Sequence, residues 1–277
     1  MTGCVCSSEF GENRLLYWTT GVRSQTRRFL ARLQSINCPH GAVDFPPSLE
    51  YQRSTTHSPP LKTVLCFGDS NTWGYDPDAS AGSPFPRRHP PATRWTGVLA
   101  RELGPEWRVI EEGQNGRTTV FVDPFIPCRV GRDYLPAALE SHKPLDVVVL
   151  MLGTNDLKAV NAAPASQIAE GAAVLARMIL ASDAGLETRP PKLLLMAPPA
   201  IGDVAGLTDG EEKFAGAEAK SRRLPELYLR HSRVLRCGFL NAQEFTQPSP
   251  ADGVHLDAAN HLALGRVVAE AVAGLAG

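Results

Sequence analysis

Ser70 stands in Gly68-Asp69-Ser70-Asn71, and His255 closes Asp252-Gly253-Val254-His255. A serine hydroxyl is a weak nucleophile until a base takes its proton. Histidine is the side chain suited to that task near neutral pH. A carboxylate three residues earlier, Asp252, can accept from the other ring nitrogen and fix the tautomer. Attack on an acyl carbon creates an oxyanion, which needs donors aimed at it. The candidates are the backbone N–H of Ser70, the backbone N–H of Gly116 and the side-chain amide of Asn155. Glycine at 116 lets the backbone approach closely. Together these groups are the parts of an acyl-transfer site. Taken singly, each has a plainer reading: Ser70 and Asn155 as caps, Gly116 as a turn residue, His255 as a surface histidine near a helix start.

These residues need elements to bring them together. Val64-Leu65-Cys66-Phe67 is apolar without alternation, as expected of a parallel strand covered on both faces, and it breaks at Gly68. Leu145–Leu152 reads as a second such strand and breaks at Gly153-Thr154-Asn155-Asp156. Further strands are predicted at 107–111, 192–197 and 234–240. Helices are predicted after a Thr93 cap, with Trp95, Val98, Leu99 and Leu103 on one face, and after Pro164, with Ile168, Ala172, Leu175 and Ile179 inward. Glu211–Arg230 is helix-forming with an interruption expected at Pro225. Asp257 is expected to cap a last helix. The proline-rich stretch 76–92 reads as a long irregular loop beside Ser70. Strands alternating with helices make an α/β fold, a parallel sheet with helices on both faces. In such sheets, ligands bind at the carboxyl ends of the strands. Ser70, the Asn115-Gly116 turn and Asn155 all fall there.

The remaining sequence narrows the possibilities. With 43% hydrophobic and 21% charged residues, the 277-residue chain can bury a sizeable core. A net charge of −1 gives no field favouring nucleic acid or an anionic membrane. No apolar run approaches the roughly 18–20 residues needed to span a bilayer. Leu15-Leu16-Tyr17-Trp18 is too short for a signal-peptide core, so a cytoplasmic protein is expected. Cys4, Cys6, Cys38 and His40 match no standard zinc spacing, and Cys66 is expected as a buried free thiol. Residues 1–60, with scattered arginines and the Ser-Thr-Thr-His-Ser-Pro-Pro run at 54–60, read as a poorly ordered N-terminal extension. The compact domain is placed at 61–277.

The blocks Gly68-Asp69-Ser70, Gly116, Gly153-Thr154-Asn155-Asp156 and Asp252-x-x-His255, in this order, resemble those of the SGNH (GDSL-type) hydrolases. The resemblance implies a flavodoxin-like three-layer α/β/α sandwich with a central parallel sheet and no metal or organic cofactor. It also implies Ser70 as nucleophile, Ser70, Gly116 and Asn155 as the oxyanion hole, and Asp252 and His255 as orienter and base. Cys66–Tyr75, Arg94-Trp95, Glu111-Glu112-Gly113, Gly116–Thr119 and Met151–Lys158 look like the bacterial arylesterase and acetyl-transferring esterase branch. That branch favours short acyl groups, often forms multimers, and includes enzymes that pass the acyl group to alcohols or peroxide. Asn71 stands where Leu is common in the family, which bears on pocket polarity. Trp73 and Tyr75 are candidates for lining the acyl pocket, with a packing role as the alternative. His89 reads as either a substrate contact or a solvated loop histidine, and Arg94 and Arg117 as structural ion pairs.

The expected activity is therefore a serine carboxylester hydrolase for short-chain acyl esters, with a small ester as partner, no nucleic acid or membrane, and homo-oligomers as the branch implies. Acyl transfer to another acceptor keeps the chemistry and changes the product. A non-catalytic ester- or carbohydrate-binding module on the same fold is the alternative of another class. Turnover of p-nitrophenyl acetate against a Ser70→Ala control separates them.

Overall fold

The three central strands come from runs that are apolar on both faces. The computed structural model describes residues 61–277. The readings of the N-terminal extension and of the Cys4, Cys6, Cys38 and His40 group lie outside the described residues. Five strands, β1 (Lys62–Gly68), β2 (Trp107–Gly113), β3 (Val147–Met151), β4 (Lys192–Ala197) and β5 (Gly238–Asn241), form one sheet in the order β2-β1-β3-β4-β5. Every pairing is parallel. The chain runs from β1 outward to β2, then returns to the other side of β1 as β3. The loops leaving β1 and β3 therefore flank the point where strand order reverses, which is where a crevice forms in such sheets.

The helices used below are α1 (Ser70–Trp73), α2 (Trp95–Leu103), α3 (Gly131–His142), α4 (Ala165–Leu180), α5 (Leu224–Leu235) and α6 (Ala258–Ala276). Successive strand residues point to opposite faces. Leu65, Phe67, Val148, Leu150, Leu193 and Leu195 pack with Leu135 of α3, Leu175 of α4 and Tyr228 of α5. Val64, Cys66, Val147, Val149, Leu194 and Met196 pack with Leu99 of α2 and Val268 of α6. The result is the expected α/β/α sandwich. Each fully buried aliphatic side chain contributes about 1.5–3 kcal/mol over its exposed state.

Local departures have local causes. Arg94, not Thr93, precedes α2, and no side chain caps it. The helix-forming run is interrupted as expected: a short helix ends at Ser221 and α5 starts at Leu224, with Pro225 in its first turn, where its missing N–H leaves no bond unmade. Val234 and Leu235 belong to α5 or its last turn rather than to a strand. Arg236 adopts φ 55°, which ends the helix, and β5 starts only at Gly238. Helix α3 has no counterpart among the predicted elements, and Pro136 inside it masks the helical pattern. The 76–92 stretch is less irregular than expected. It holds a helical turn at Pro77–Ser80 and pairs Tyr75 with Arg88 in a β-bridge. Asp257 caps α6 as expected, its carboxylate accepting from the Asn260 N–H. Among the described residues, no helix is long and apolar enough to cross a membrane.

Candidate active site

β1 delivers Ser70 to the sheet edge. Asp69 caps the single turn α1, accepting the Asn71 N–H at 3.0 Å, and so places Ser70 as the first residue of that turn. The Ser70 hydroxyl lies 2.9 Å from Nε2 of His255. Nδ1 of His255 donates to Oδ2 of Asp252 at 2.6 Å, which leaves Nε2 free to accept the serine proton. Oδ1 of Asp252 accepts the backbone N–H groups of Val254 and His255, both at 2.9 Å. The carboxylate thus grips both the ring and the backbone that carries it. Burial works to raise the Asp252 carboxyl, but the bond and charge of His255 and the two backbone donors outweigh it, and the net shift is downward. Asp252 is therefore an anion at neutral pH.

The other side of the serine carries donors. The N–H groups of Ser70 and Gly116 meet no acceptor among the described residues. Gly116 has φ +79°, a conformation that favours glycine. The Asn155 amide donates one N–H to the Arg117 carbonyl at 3.1 Å, which orients the group and leaves its second N–H. The turn that carries Asn155 depends on Gly153, at φ +126°, where a Cβ would stand 2.6 Å from the Tyr228 hydroxyl. That hydroxyl donates to the Leu152 carbonyl at 2.7 Å. Asp156, next in the turn, is fully buried. It accepts the Thr119 N–H at 3.0 and 3.1 Å, and the Thr119 hydroxyl. Burial pushes its carboxyl up to about 6 against those hydrogen bonds.

The structure brings Ser70, Asp252 and His255 into contact and places Gly116 and Asn155 on the turns after β2 and β3. Tyr75 lies elsewhere than a pocket wall alone would require: its ring stacks on His255, with centroids 4.0 Å apart and planes 26° apart. Trp73 packs under the Arg88 guanidinium, 5.1 Å from its ring centroid, and its carbonyl accepts from Arg88. Asn71 does not set pocket polarity, because it is only 1% exposed and bonds to the backbone around His255. His89 is not a solvated loop histidine. It is buried, with Nδ1 3.2 Å from Asp76 and Nε2 3.3 Å from the Leu256 carbonyl. Arg94 pairs with Glu111 at 2.8 Å, as read from the sequence. Arg117 instead bonds the carbonyls of Gly68 and Glu112 and lies over the Phe67 ring, making no ion pair among the described residues. Cys66 is a buried free thiol. Asn71, His89 and the stack of Tyr75 on His255 were the parts sequence reasoning missed. The signals for them were the nearness of 71 and 75 to Ser70 in the chain and the asparagine at a position where the family commonly has Leu.

The fold thus brings a serine, a histidine and an aspartate into one hydrogen-bonded line at the carboxyl end of a parallel sheet. The chain belongs to the GDSL-like lipase/acylhydrolase family, whose model matches residues 66–263. It is accordingly an esterase/acylhydrolase family enzyme. Among solved structures it is similar to an aryl esterase of M. smegmatis, with 40% identity, a TM-score of 0.73, and 78% of this chain and 100% of that one covered. It is also similar to a carbohydrate acetylesterase from Sinorhizobium meliloti, with 38% identity, a TM-score of 0.73, and 77% and 99% coverage. No curated protein matches the chain.

Proposed function

We propose that this enzyme hydrolyses short-chain, acetyl-type carboxylic esters through a covalent acyl-Ser70 intermediate. The observation that carries the reading is the unbroken line from the Ser70 hydroxyl through both nitrogens of His255 to Asp252, at 2.9 and 2.6 Å. In the first half-reaction the Ser70 oxygen attacks the ester carbonyl carbon while Nε2 of His255 takes the hydroxyl proton. Asp252 holds the ring and balances the imidazolium. The oxyanion is received by the N–H groups of Ser70 and Gly116 and by the free N–H of Asn155. The intermediate collapses, the C–O bond to the alcohol breaks, and His255 returns the proton to the departing oxygen. A water molecule then attacks the acyl-enzyme, with His255 again as base, releasing the acid and restoring Ser70.

Similarity to a carbohydrate acetylesterase supports a small acyl group. The test is an organophosphonate probe followed by peptide mass mapping, together with an acyl-length series of p-nitrophenyl esters. The probe is expected to add to Ser70 and abolish turnover, and kcat/KM to fall from acetyl and butyryl to octanoyl. Labelling elsewhere with Ser70 untouched would overturn the nucleophile. A rate that climbs steadily with chain length would overturn the short acyl group.

A further inference from the structure

The segment that carries His255 has no regular secondary structure, yet every backbone polar group from Val254 to Leu256 is bonded. The N–H groups of Val254 and His255 go to Oδ1 of Asp252. The His255 carbonyl accepts from the Ser249 N–H at 2.7 Å. The Leu256 carbonyl faces Nε2 of His89 at 3.3 Å. The remaining two, the Val254 carbonyl and the Leu256 N–H, are taken by one side chain. Asn71 donates through Nδ2 to Val254 at 3.3 Å and accepts through Oδ1 from Leu256 at 3.0 Å. An amide has one donor and one acceptor end, so it can bridge a carbonyl and an N–H as a neighbouring strand would.

Asn71 is covalently next to Ser70, and the residues it grips are the two immediate neighbours of His255. The hydroxyl and the imidazole come from opposite ends of the domain, so some contact must fix their separation. We infer that Asn71 is the positioning residue that sets the register between the nucleophile and its base, by clamping the backbone on both sides of His255. The inference rests on the reading of Ser70 and His255 as nucleophile and base. Asp252 holds the ring and the N–H groups before it, but it belongs to the same segment and would travel with it. Asn71 ties that segment to the turn carrying the serine. Its buried position, 1% exposed, keeps water from replacing either bond.

The two variants are Asn71→Leu, of similar size with no polar end, and Asn71→Asp, which keeps the acceptor for Leu256 but loses the donor to Val254. Rates are expressed per active site titrated with a slow organophosphonate. Asn71→Leu is expected to lose about 10- to 100-fold in kcat, since misplacement of reacting groups by about 1 Å costs up to that much. KM should change less than about twofold, and the rate of phosphonylation should fall in parallel with kcat. Asn71→Asp should fall between this variant and the parent. The downfield proton resonance of the His255–Asp252 bond should persist in both, because that pair stays within its own segment. If Asn71→Leu does not fold, Asn71→Asp is judged by the same measures. Unchanged kcat and phosphonylation rate per titrated site, with only the folded fraction reduced, would overturn the inference. So would a loss confined to KM. Failure of the parent enzyme to label at Ser70 would instead overturn the reading of the site itself.

Discussion

Two turns at the sheet edge each hold a buried aspartate, and the two carboxyls are driven in opposite directions. Asp252, in the segment leading to His255, is held below the usual carboxylate range despite its burial. Asp156, in the turn after β3, is pushed up to about 6. Both accept backbone N–H groups. The two differ in burial, which is complete at Asp156, in the charge of Asp69 that pushes Asp156 further up, and in the third partner. Asp252 faces an imidazole that can become a cation, whereas Asp156 faces the neutral hydroxyl of Thr119. At Asp252 the bond and charge of the imidazole add to the backbone donors and outweigh burial, whereas at Asp156 the hydrogen bonds do not. In the proposed mechanism the first turn manages a proton and the second presents a donor to an oxyanion, so only the first requires a fixed negative charge.

Replacing each aspartate by asparagine separates the two turns most sharply. Asp252→Asn is predicted to lower kcat on the order of 10⁴-fold with KM little changed, since the ring loses its orienting charge. Asp156→Asn should stay within about tenfold of the parent. Steady-state kinetics on p-nitrophenyl acetate measures both, and an equal loss from Asp156→Asn would erase the distinction. The second turn has its own test in Asn155→Ala. It removes one oxyanion donor and should reduce kcat by about 10²–10³-fold, again with KM nearly constant. A loss seen mainly in KM would make Asn155 a ground-state contact.

The smallest effect is on stability, and it should differ in sign. The raised carboxyl of Asp156 contributes stability that is complete below the unfolded carboxylate value and is lost as pH rises through about 6. The lowered carboxyl of Asp252 contributes stability present above the unfolded value and lost as pH falls through its folded value. Urea denaturation across pH 3–8 should show Asp156→Asn relieving the loss between about pH 4 and pH 6, and Asp252→Asn flattening the acid limb. Each slope is bounded by about 1.4 kcal/mol per pH unit. Parallel profiles for the two variants would show that the partners do not set the shifts.

Much of this was legible in the sequence because single chemical constraints dictated it. A strand covered on both faces must be apolar throughout, so β1, β3 and β4 stand out. The order of Ser70, Gly116, Asn155 and Asp252-x-x-His255 carries the site because each group leaves a strand end or follows the last strand. What stayed hidden depended on contacts between distant parts. Val234 and Leu235 suit a strand or a helix, and only the turn at Arg236 decides between them. Asn71 is polar beside the nucleophile, which suggests a pocket. Its bonds to Val254 and Leu256 arise only when the ends of the domain meet. His89, on a proline-rich loop, suggests solvent until α6 covers it and His261 packs edge-on against its ring.

The paired serine and histidine lie 185 residues apart in the chain. A ribosome releases residues in order, so the nucleophile and all three proposed oxyanion donors leave it well before Asp252 and His255. A polypeptide that has reached β4 carries the serine without the histidine proposed as its base. In the proposed mechanism hydrolysis needs the 252–255 segment docked against the turn of Ser70, a contact of long sequence separation. Esterase turnover would then report that the 252–255 segment has been made and docked, since a product ending before residue 252 lacks the proposed base and its orienter.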